Sequence, residues 1–358
     1  MPLAEGAVPE DRARIAAGEL AVVCSRYDLG EVREARHLKA GSRASPKALL
    51  VTEKGEYLLK RRAAPGPGGM TQAEWLHRIA LSHQIILHLA SRGLPVPRLL
   101  GTRDDHNSML QSGDHVYEIY RFVRGRPYDR SAEAATAAGE LLARCHVELR
   151  DLRPDWPPPR RSYHGHPSVA AALRELHRML DDATLRVAAE ELAERYDRAA
   201  AQAATVDRMA EQLIHADWHP GNIVWAAPSR IAAVLDFDAV ALAPAIIDAS
   251  NGALQFALRR RPVASPQPGR APFSVAFDSG LFEAFWAGYR RAGDVGAWPA
   301  AAVPHLCVQA IIAEVALPIA ATGRFGRFAA GGVLRLANRT AAWFEGHAER
   351  LARAATVP

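Results

Sequence analysis

The chemically most informative residues lie in the segment Leu213–Trp225, which reads L-I-H-A-D-W-H-P-G-N-I-V-W. Within it Asp217 and Asn222 are five residues apart, and Asp236 follows fourteen residues later, at the end of an apolar run. Phosphoryl transfer from ATP needs a carboxylate that orients a hydroxyl and accepts its proton, and an amide oxygen and a second carboxylate that hold Mg²⁺. A loop followed by a hairpin would bring these groups together at one edge of a single site. The pattern therefore predicts ATP- and Mg²⁺-dependent phosphoryl transfer.

The same segment permits a second interpretation, in which His215, Asp217 and His219 bind zinc. Closely spaced histidine and aspartate side chains can act as zinc ligands. A zinc site, however, gives no reason for Asn222 or for an apolar strand that ends in Asp-Phe-Asp. We therefore favour the phosphotransferase interpretation.

The pattern His-x-Asp-x-x-x-x-Asn followed by Asp236 resembles the aminoglycoside phosphotransferase and choline kinase superfamily, whose members are relatives of protein kinases. The resemblance implies that Asp217 is the catalytic base, that Asn222 is a metal ligand and that Asp236 is the principal metal ligand. It also implies a secondary contact of Asp238 with metal or substrate.

Four further residues receive subsidiary roles. The spacing Pro244-x-x-x-Asp248 resembles that of the family's aspartate that braces the catalytic loop from the following helix, so Asp248 and His215 are expected to be structural. Trp218 is a candidate for the wall of the acceptor pocket, with core packing as the alternative. His146, in an apolar helical pattern, is expected to be a hydrogen-bonded core histidine.

The N-terminal part supplies a candidate for binding the nucleotide phosphates. Segments 48–52 and 56–60 flank Glu53-Lys54-Gly55, which has the length and composition of a hairpin turn. Lys60 ends the second strand, where a kinase fold keeps its phosphate-pairing lysine. The chain has only four lysines, which are Lys39, Lys47, Lys54 and Lys60. A compact ammonium in a chain that otherwise uses arginine favours a specific role for Lys60 in binding ATP.

A kinase-like lobe also needs a helix glutamate as the partner of this lysine. The helix predicted from about Thr71 to Arg92 offers Glu74, but Thr71-x-x-Glu74 also matches a capping box, which we favour. His83 occupies the position at which the partner glutamate is expected. The lysine's ion pair is therefore predicted either to involve Glu74 or to be rearranged.

Two further segments are assigned to the nucleotide. Lys39–Pro46 occupies the place of a glycine-rich phosphate loop but has one glycine, so this assignment depends on Lys60. Glu118–Phe122 is expected to be the hinge strand, with backbone groups near Tyr120 and Phe122 that hydrogen-bond the adenine edge.

The distribution of patterns predicts an α+β, protein-kinase-like fold with a small β-rich lobe and a larger, mainly helical lobe. The expected division is residues 1–120 for the nucleotide-binding lobe and 121–358 for the helical lobe, with a hinge at about 118–125. Proline-rich connectors are expected at 154–159 and 261–273. Helices are predicted at 131–148, 168–180, 184–209, 281–291, 308–321 and 332–354.

Composition narrows the function classes. The 358 residues carry a net charge of +5, but the arginines are dispersed and form no basic stripe, so nucleic-acid binding is not expected. Three widely spaced cysteines and an N-terminus without an apolar core predict a cytoplasmic protein without a signal peptide. The apolar segment 303–322 is interrupted by polar residues and prolines, which favours a buried helix over a membrane span.

The acceptor is expected to be a small molecule with a hydroxyl group, such as an amino alcohol, a homoserine-like compound or a sugar. Residues 241–358 contain seven acids and twelve arginines, which argues against a polycationic aminoglycoside. An aminoglycoside kinase remains an alternative, as does a pseudokinase that binds nucleotide without turnover. The hinge segment and His83 are most similar to the homoserine-kinase-like and spore-coat-associated branch. The oligomeric state is left open.

Overall fold

The computed structural model describes residues 14–38, 45–63, 69–180, 182–264, 270–292 and 296–356. Its N-terminal elements are α1 (Ala17–Ser25), β1 (Val32–Leu38), β2 (Lys47–Thr52), β3 (Gly55–Ala63), α2 (Gln72–Ser91), β4 (Leu110–Ser112) and β5 (His115–Arg121). The five strands form one antiparallel sheet in the order β1-β2-β3-β5-β4. The predicted hairpin is confirmed, and its turn ends at Gly55, whose φ of +122° favours glycine.

The two faces of this sheet differ in chemistry. One face packs against α1 in a small apolar core that includes Val23, Ala48, Leu50, Tyr57, Leu59 and Ile119. Because side chains alternate along a strand, the intervening residues lie on the opposite face. That face carries charged residues in the middle of β3 and contacts the rest of the molecule.

The remainder of the chain is mainly helical, which agrees with the predicted α+β, kinase-like fold. Its helices are α3 (Ala132–Leu149), α4 (Pro167–Met179), α5 (Ala183–Gln202), α6 (Ala245–Ala257), α7 (Ser279–Arg291), α8 (Val303–Thr322), α9 (Ala330–Gly346) and α10 (Ala348–Ala355). Short strands are β6 (Gln212–Ile214), β7 (Ile223–Ala227), β8 (Arg230–Val234), β9 (Ala241–Ala243), β10 (Leu258–Pro262), β11 (Phe273–Phe277), β12 (Arg324–Phe325) and β13 (Phe328–Ala329). They pair as β6–β9, β7–β8, β10–β11 and β12–β13.

Two glycines allow α3 and α7 to cross in direct backbone contact. A Cβ atom on Gly139 would lie 2.0 Å from the carbonyl oxygen of Phe285, and one on Gly288 would lie 1.9 Å from that of Thr136. Any larger residue would push the helices apart. The close crossing packs α3 and α7 against α6, the helix that carries Asp248.

The apolar helix α8 lies in the core of the helical part. The stretch Ala300–Thr322 is long and apolar enough to cross a membrane, but 72% of its most apolar window is buried inside the protein. A core helix passes the same test of length and composition. The predicted buried helix is therefore confirmed, and it begins five residues earlier than expected, at Val303 rather than Val308.

Three element predictions were wrong. The helix expected at 332–354 is two helices, α9 and α10, separated at His347 after Gly346, a poor helix former. The break allows Leu351 and Ala355 to be buried. The helix expected to reach residue 209 ends at Gln202, and the proline-rich connector at 261–273 includes parts of the β10–β11 hairpin.

The N-terminal sheet and the helical part are joined through Gly125 and Arg126. The backbone groups of Arg126 and Trp225 exchange two hydrogen bonds, of 2.8 and 3.0 Å, so the connection after β5 pairs with β7. A Cβ on Gly125 would lie 2.3 Å from Cγ1 of Val224, so the approach requires glycine. This junction fixes the sheet relative to the loop between β6 and β7.

Candidate active site

His215, at the start of the loop between β6 and β7, and Asp248 of α6 fix the position of this loop. The backbone N–H of His215 donates to Oδ2 of Asp248 at 2.9 Å. The ring of His215 lies 3.1 Å from the carbonyl oxygen of Leu235 through Nε2, and its Nδ1 accepts the Asp217 N–H at 3.2 Å. Both ring nitrogens are thus engaged within the protein, which leaves no nitrogen for the alternative zinc site.

The side chains of Asp217 and Asn222 contact each other across this loop. Nδ2 of Asn222 donates to Oδ2 of Asp217 at 2.9 Å and to its backbone oxygen at 3.0 Å. Nε2 of His219 lies 3.6 Å from the same carboxylate. Burial raises the pKa of Asp217, but the interaction with His219 and the nearby positive charge, including that of His215, together outweigh burial and lower the pKa from its usual value. Asp217 is therefore a fixed, ionised carboxylate at neutral pH.

Two positions beside these residues have unusual backbone conformations. Ala216 has φ +61° and Asp236 has φ +60°, in the left-handed region that non-glycine residues rarely adopt. Each costs about 1–3 kcal/mol of local strain and persists only where the surroundings hold it. The brace by Asp248 and the β7–β8 hairpin supply that support on either side of the site.

Asp236 is brought next to Asn222 by the β7–β8 hairpin. Ile223 pairs with Val234, and the N–H of Leu235 donates to the carbonyl oxygen of Asn222 at 2.8 Å. The next residue is Asp236, whose side chain is 37% exposed. A carboxylate beside an amide oxygen is a donor set that suits Mg²⁺, a hard cation that also keeps several waters. In the described ranges, no cluster of three or more His, Cys, Asp or Glu could hold a metal.

Lys60 reaches across from the sheet to this same edge. Its Nζ lies 2.8 Å from Oδ2 of Asp238 and 3.8 Å from Oδ1 of Asp236. The lysine's ion pair is therefore rearranged, and its partners come from the segment after β8 rather than from α2. Lys60 is 6% exposed, so this contact links the two halves of the protein in a protected environment.

The side chain of Asp238 is committed to cations of the sheet. Besides Lys60, it accepts two hydrogen bonds of 2.6 Å from the guanidinium of Arg62. Burial raises the pKa of Asp238, but Arg62 and Lys60 outweigh it and hold the pKa well below its usual value. Asp238 is thus an ion-pair partner of the sheet cations, and its expected role as a secondary metal or substrate contact stays a prediction.

The prediction that Thr71-x-x-Glu74 is a capping box is confirmed. The backbone N–H of Thr71 donates to the carboxylate of Glu74 at 2.8 Å, and the N–H of Glu74 donates to the Thr71 hydroxyl at 3.3 Å. Glu74 is exposed at the start of α2, so the alternative in which it reaches Lys60 was wrong. Local hydrogen bonding at the helix terminus determines its orientation.

His83 lies at the centre of a buried polar cluster. Its Nε2 is 2.6 Å from Oε1 of Glu118, and its Nδ1 is 2.8 Å from the Ser108 hydroxyl. Arg62 pairs with the other oxygen of Glu118, and the Tyr120 hydroxyl donates to Oε1 at 2.8 Å. A glutamate thus faces α2, but it comes from β5 and pairs with arginine.

The buried ion pair between Glu118 and Arg62 was not predicted from the sequence. Burial would raise the pKa of Glu118, yet the charge of Arg62 and the contact with His83 lower it, so the carboxylate stays ionised without exposure to water. The signal that could have found the pair is strand alternation, because Arg62 lies two residues after Lys60 and so shares its face.

The predicted hinge residues differ in whether their backbone N–H groups are available to bond a ligand. The N–H of Phe122 donates to the carbonyl oxygen of Glu56 at 2.9 Å, and the side chain of Tyr120 turns into the buried cluster. Within the described part of the chain, the N–H groups of Val123 and Arg124 have no backbone partner. The expected contact of adenine with backbone groups near Tyr120 and Phe122 therefore stays a prediction, for which the N–H groups of Val123 and Arg124 are candidates and the Phe122 N–H is not.

Trp218 does not line a pocket. It is 1% exposed, stacks edge-on against His215 at a centroid distance of 5.4 Å and lies close to Gly252 of α6. Its place in the acceptor pocket is therefore corrected to core packing beneath the loop. The segment 39–44 of the expected phosphate loop lies outside the described residues.

Comparison with known proteins is consistent with this arrangement. A family model described as the phosphotransferase enzyme family matches residues 36–301. An aminoglycoside phosphotransferase from Alicyclobacillus acidocaldarius has a similar structure, with a TM-score of 0.59 and 18% identity over 92% of this chain and 93% of that chain. A microcompartment-associated aminopropanol kinase gives a TM-score of 0.62 at 14% identity, over 94% and 99% of the two chains.

A choline kinase from Streptococcus pneumoniae also has this fold, with a TM-score of 0.56 and 11% identity over 92% of this chain and 98% of that chain. No curated protein has significant sequence similarity to the chain. At such low identities the structures show the common fold, whereas the family model spans well over half of the sequence. The chain therefore belongs to the phosphotransferase enzyme family.

Proposed function

We propose that the protein transfers the γ-phosphoryl group of ATP to a hydroxyl of a small, neutral or anionic acceptor, with Mg²⁺ as the metal. One continuous set of contacts carries this proposal. Lys60 lies 3.8 Å from Asp236, the neighbouring Leu235 is hydrogen-bonded to Asn222, and Asn222 holds Asp217. A phosphate-binding cation, two metal donors and a carboxylate base thus follow one another along a single edge.

The face of the sheet that carries Lys60 and is opposite α1, which we call the cleft face, supports the nucleotide part of the proposal. Leu49, Leu58 and Tyr120 form one cross-strand row, and Lys47, Lys60 and Glu118 form the next row, farther from the hinge. Rows two residues apart along a strand are separated by about 6.5 Å. The apolar row beside the hinge suits adenine, and the cationic row beyond it suits phosphates.

Structures with this fold have been solved with nucleotides. One is a spectinomycin phosphotransferase in complex with ADP and spectinomycin, which has a TM-score of 0.58 and 14% identity to this chain. Another is an AMP-bound complex of spectinomycin phosphotransferase, with a TM-score of 0.57. These complexes support nucleotide binding here, and ATP as the phosphoryl donor is our proposal.

Asp217 would orient the acceptor hydroxyl and receive its proton. Its lowered pKa makes it a weak base, so proton transfer is favourable only once the hydroxyl oxygen begins to bond to phosphorus and becomes acidic. The amide of Asn222 and the nearby His219 fix the carboxylate before the acceptor arrives. This pre-organisation lowers the entropic cost of reaching a reactive geometry.

Asn222 and Asp236 would hold Mg²⁺ through oxygen atoms. The metal, when bound, neutralises negative charge on the phosphates of the nucleotide. Lys60 would add a second positive charge from the sheet side, although Asp238 and Asp236 share its ammonium. The residues of the chain therefore bind the nucleotide from two opposite sides of the cleft.

The charges of the helical part support a neutral or anionic acceptor. Four of the acids in residues 241–358 pair with arginines, namely Glu314 with Arg260, Glu345 with Arg195, Glu283 with Arg350 and Glu349 with Arg353. Asp248 is buried against the catalytic loop, and Asp278 caps α7. A polycationic aminoglycoside would find few uncompensated carboxylates among these six residues.

Replacement of Asp217 tests the catalytic assignment. Asp217→Asn keeps the size of the side chain but removes the base, so phosphoryl transfer is expected to fall by about a hundredfold to ten-thousandfold. Affinity for Mg·ADP, measured by calorimetry, is expected to change little. Glu211→Gln, at an exposed position paired with Arg160, is the matched control. Loss of nucleotide binding in folded Asp217→Asn would contradict this role.

The acceptor is tested by ATP consumption with amino alcohols, homoserine, sugars and aminoglycosides as substrates. Turnover is expected with a neutral or anionic compound. Efficient turnover of an aminoglycoside alone would overturn the acceptor class and leave the kinase assignment intact. Absence of any nucleotide-dependent turnover or binding would contradict the use of ATP.

We also propose a cytoplasmic location. All three cysteines are free thiols, and Cys145 and Cys307 are buried. Burial raises the pKa of both thiols, which keeps them protonated and unreactive in a reducing compartment. Localisation of a tagged full-length chain would test this.

A further inference from the structure

Lys47 is a cation on the cleft face for which the function proposed above has no assigned role. It pairs in register with Lys60 across β2 and β3, and Lys60 pairs in register with Glu118 of β5. Residues directly opposite each other in antiparallel strands share a face, with Cβ atoms about 4.5–5.5 Å apart. Lys47 therefore points to the same side of the sheet as the phosphate-binding candidate Lys60.

Among the described residues, Lys47 has no ion-pair partner. Within the described ranges, no carboxylate lies within ion-pair distance of its Nζ, whereas Lys60 and Arg62 contact Asp238 and Lys54 contacts Asp28. Like charges directly opposite each other in a sheet are destabilising. Burial and the charge of Lys60 lower the pKa of Lys47, while Asp236 and Asp238 partly oppose that change. An anion placed between the two lysines would relieve their repulsion.

The position of Lys47 also fits the expected direction of a nucleotide. Leu49 and Leu58 form the apolar row next to the hinge, and Lys47 and Lys60 form the following row. An adenine beneath the apolar row would direct its phosphates toward the cationic row. Asp236, the proposed metal ligand, lies 3.8 Å from Lys60 at the same place.

We propose that Lys47 is a second nucleotide-binding lysine, which together with Lys60 contacts the phosphates of the bound nucleotide from the sheet side. The proposal rests on the nucleotide-binding function proposed above. It assigns to a β2 side chain part of the phosphate binding that a glycine-rich loop performs through its backbone groups. Asp238 and Asp236 already supply negative charge to Lys60. Lys47 therefore depends more than Lys60 on a bound ligand for its counter-charge.

Calorimetric titration of the full chain with Mg·ADP and with adenosine tests this proposal. Lys47→Met is expected to weaken Mg·ADP binding by about tenfold or more, because charge-assisted hydrogen bonds to the phosphates are lost. Adenosine affinity is expected to stay unchanged, since it has no phosphate. Lys47→Arg retains the charge and is expected to bind Mg·ADP more tightly than Lys47→Met.

Lys54→Met is the matched control, because it removes the same charge from the same hairpin at a site paired with Asp28. It is expected to bind Mg·ADP as the wild type does. Thermal unfolding without ligand adds a second readout, in which Lys47→Met is expected to be as stable as the wild type or more stable, since a like-charge pair is removed. If Lys47→Met fails to fold, Lys47→Gln provides the same comparison.

The outcomes separate this proposal from the function on which it rests. Equal Mg·ADP affinity in the wild type and Lys47→Met would overturn the role of Lys47 and leave the kinase assignment intact. An equal loss of adenosine and Mg·ADP affinity in Lys47→Met would also overturn it, because the side chain would then act through the fold. A wild-type chain that binds no Mg·ADP would instead contradict the proposed function itself.

Discussion

The two halves of the protein each contain a buried histidine paired with a fully buried carboxylate, and the two pairs are compensated differently. In the sheet, His83 contacts Glu118 at 2.6 Å, and in the helical part His146 contacts Asp248 at 3.2 Å. Tyr120 donates to Glu118, while the Tyr289 hydroxyl lies 2.7 Å from the ring of His146. The composition of the two clusters is thus nearly the same.

The difference lies in the remaining partner of each carboxylate. Glu118 pairs with the buried guanidinium of Arg62, which also binds Asp238. Asp248 instead accepts the backbone N–H of His215, and its Oδ1 has no partner among the described residues. The first cluster balances charge with charge, and the second uses a carboxylate to fix the backbone of a loop.

This difference assigns a distinct task to each cluster. The Glu118 cluster controls the distribution of charge around Lys60, because Arg62 and Lys60 compete for the same Asp238. The Asp248 cluster controls geometry, because it fixes His215, which precedes the strained Ala216 and the proposed base Asp217. Substitution in the first cluster should therefore act mainly on stability and nucleotide binding, and substitution in the second mainly on turnover.

The largest expected effect is on Glu118. Glu118→Gln removes the counter-charge of a buried arginine, and breaking such a pair costs about 3–5 kcal/mol of the free energy of unfolding. Chemical denaturation of the full chain measures this loss. The control is Glu56→Gln, at an exposed pair with Arg124, which is expected to leave the unfolding midpoint nearly unchanged. Similar effects of both substitutions would contradict the charge-balancing role.

A smaller loss of stability is expected at Asp248. Asp248→Asn retains an oxygen that can accept the His215 N–H, so the expected cost is about 1–3 kcal/mol. The rate of phosphoryl transfer should fall because the loop that carries Asp217 is less well fixed, while affinity for Mg·ADP should be retained. Steady-state kinetics and calorimetry separate the two. A loss of nucleotide affinity without a loss of rate would contradict the assignment of the Asp248 cluster to turnover.

The pH dependence of stability distinguishes the charged cluster. The pKa of Glu118 is lowered on folding, so its stabilisation is fully present above its unfolded value near 4.5 and is lost as pH falls through the folded value. Below about pH 4.5, the wild type should lose up to about 1.4 kcal/mol per pH unit from this one group. Glu118→Gln should show a shallower decline on the acid side in denaturation at several pH values. Parallel pH profiles would contradict the ionised state of Glu118.

The last comparison is between the two tyrosines that hydrogen-bond to these clusters. Tyr120→Phe removes a hydrogen bond to an ionised carboxylate and is expected to cost about 1.5–3 kcal/mol, whereas Tyr289→Phe removes one to an imidazole and is expected to cost about 0.5–1.5 kcal/mol. Thermal or chemical unfolding of the two variants gives the comparison directly. A larger loss of stability for Tyr289→Phe than for Tyr120→Phe would contradict the expectation that the hydrogen bond to the charged carboxylate is the stronger one.

Some features could be predicted from the sequence because they depend on residues that are close together in the chain. Asp217 and Asn222 share one loop, and the capping box joins residues 71 and 74, so spacing was enough to predict their proximity. The β2–β3 hairpin followed from a short turn between two apolar runs. In such cases backbone geometry restricts the outcome before any long-range packing occurs.

Other features depended on elements that are far apart in sequence. Asp238 meets Lys60 across 178 residues, and its role as an ion-pair partner could not be distinguished from metal binding by motif alone. The burial of Trp218 beneath the loop follows from the close approach of Gly252, and the pairing of Arg62 with Glu118 follows from β3 lying beside β5. Sequence spacing says little about which of several possible charge partners will meet.

The sequence by itself therefore determined the family, the kinase-like layout and the local arrangement of Asp217 and Asn222, because short-range geometry and a distinctive motif suffice for these. Only the tertiary structure decided that Lys60 pairs with Asp238, that Glu118 balances Arg62 and that Lys47 lies in register with Lys60 on one face of the sheet. The physical reason is that buried charges are compensated by whichever partners the packing of separate elements brings within a few ångströms.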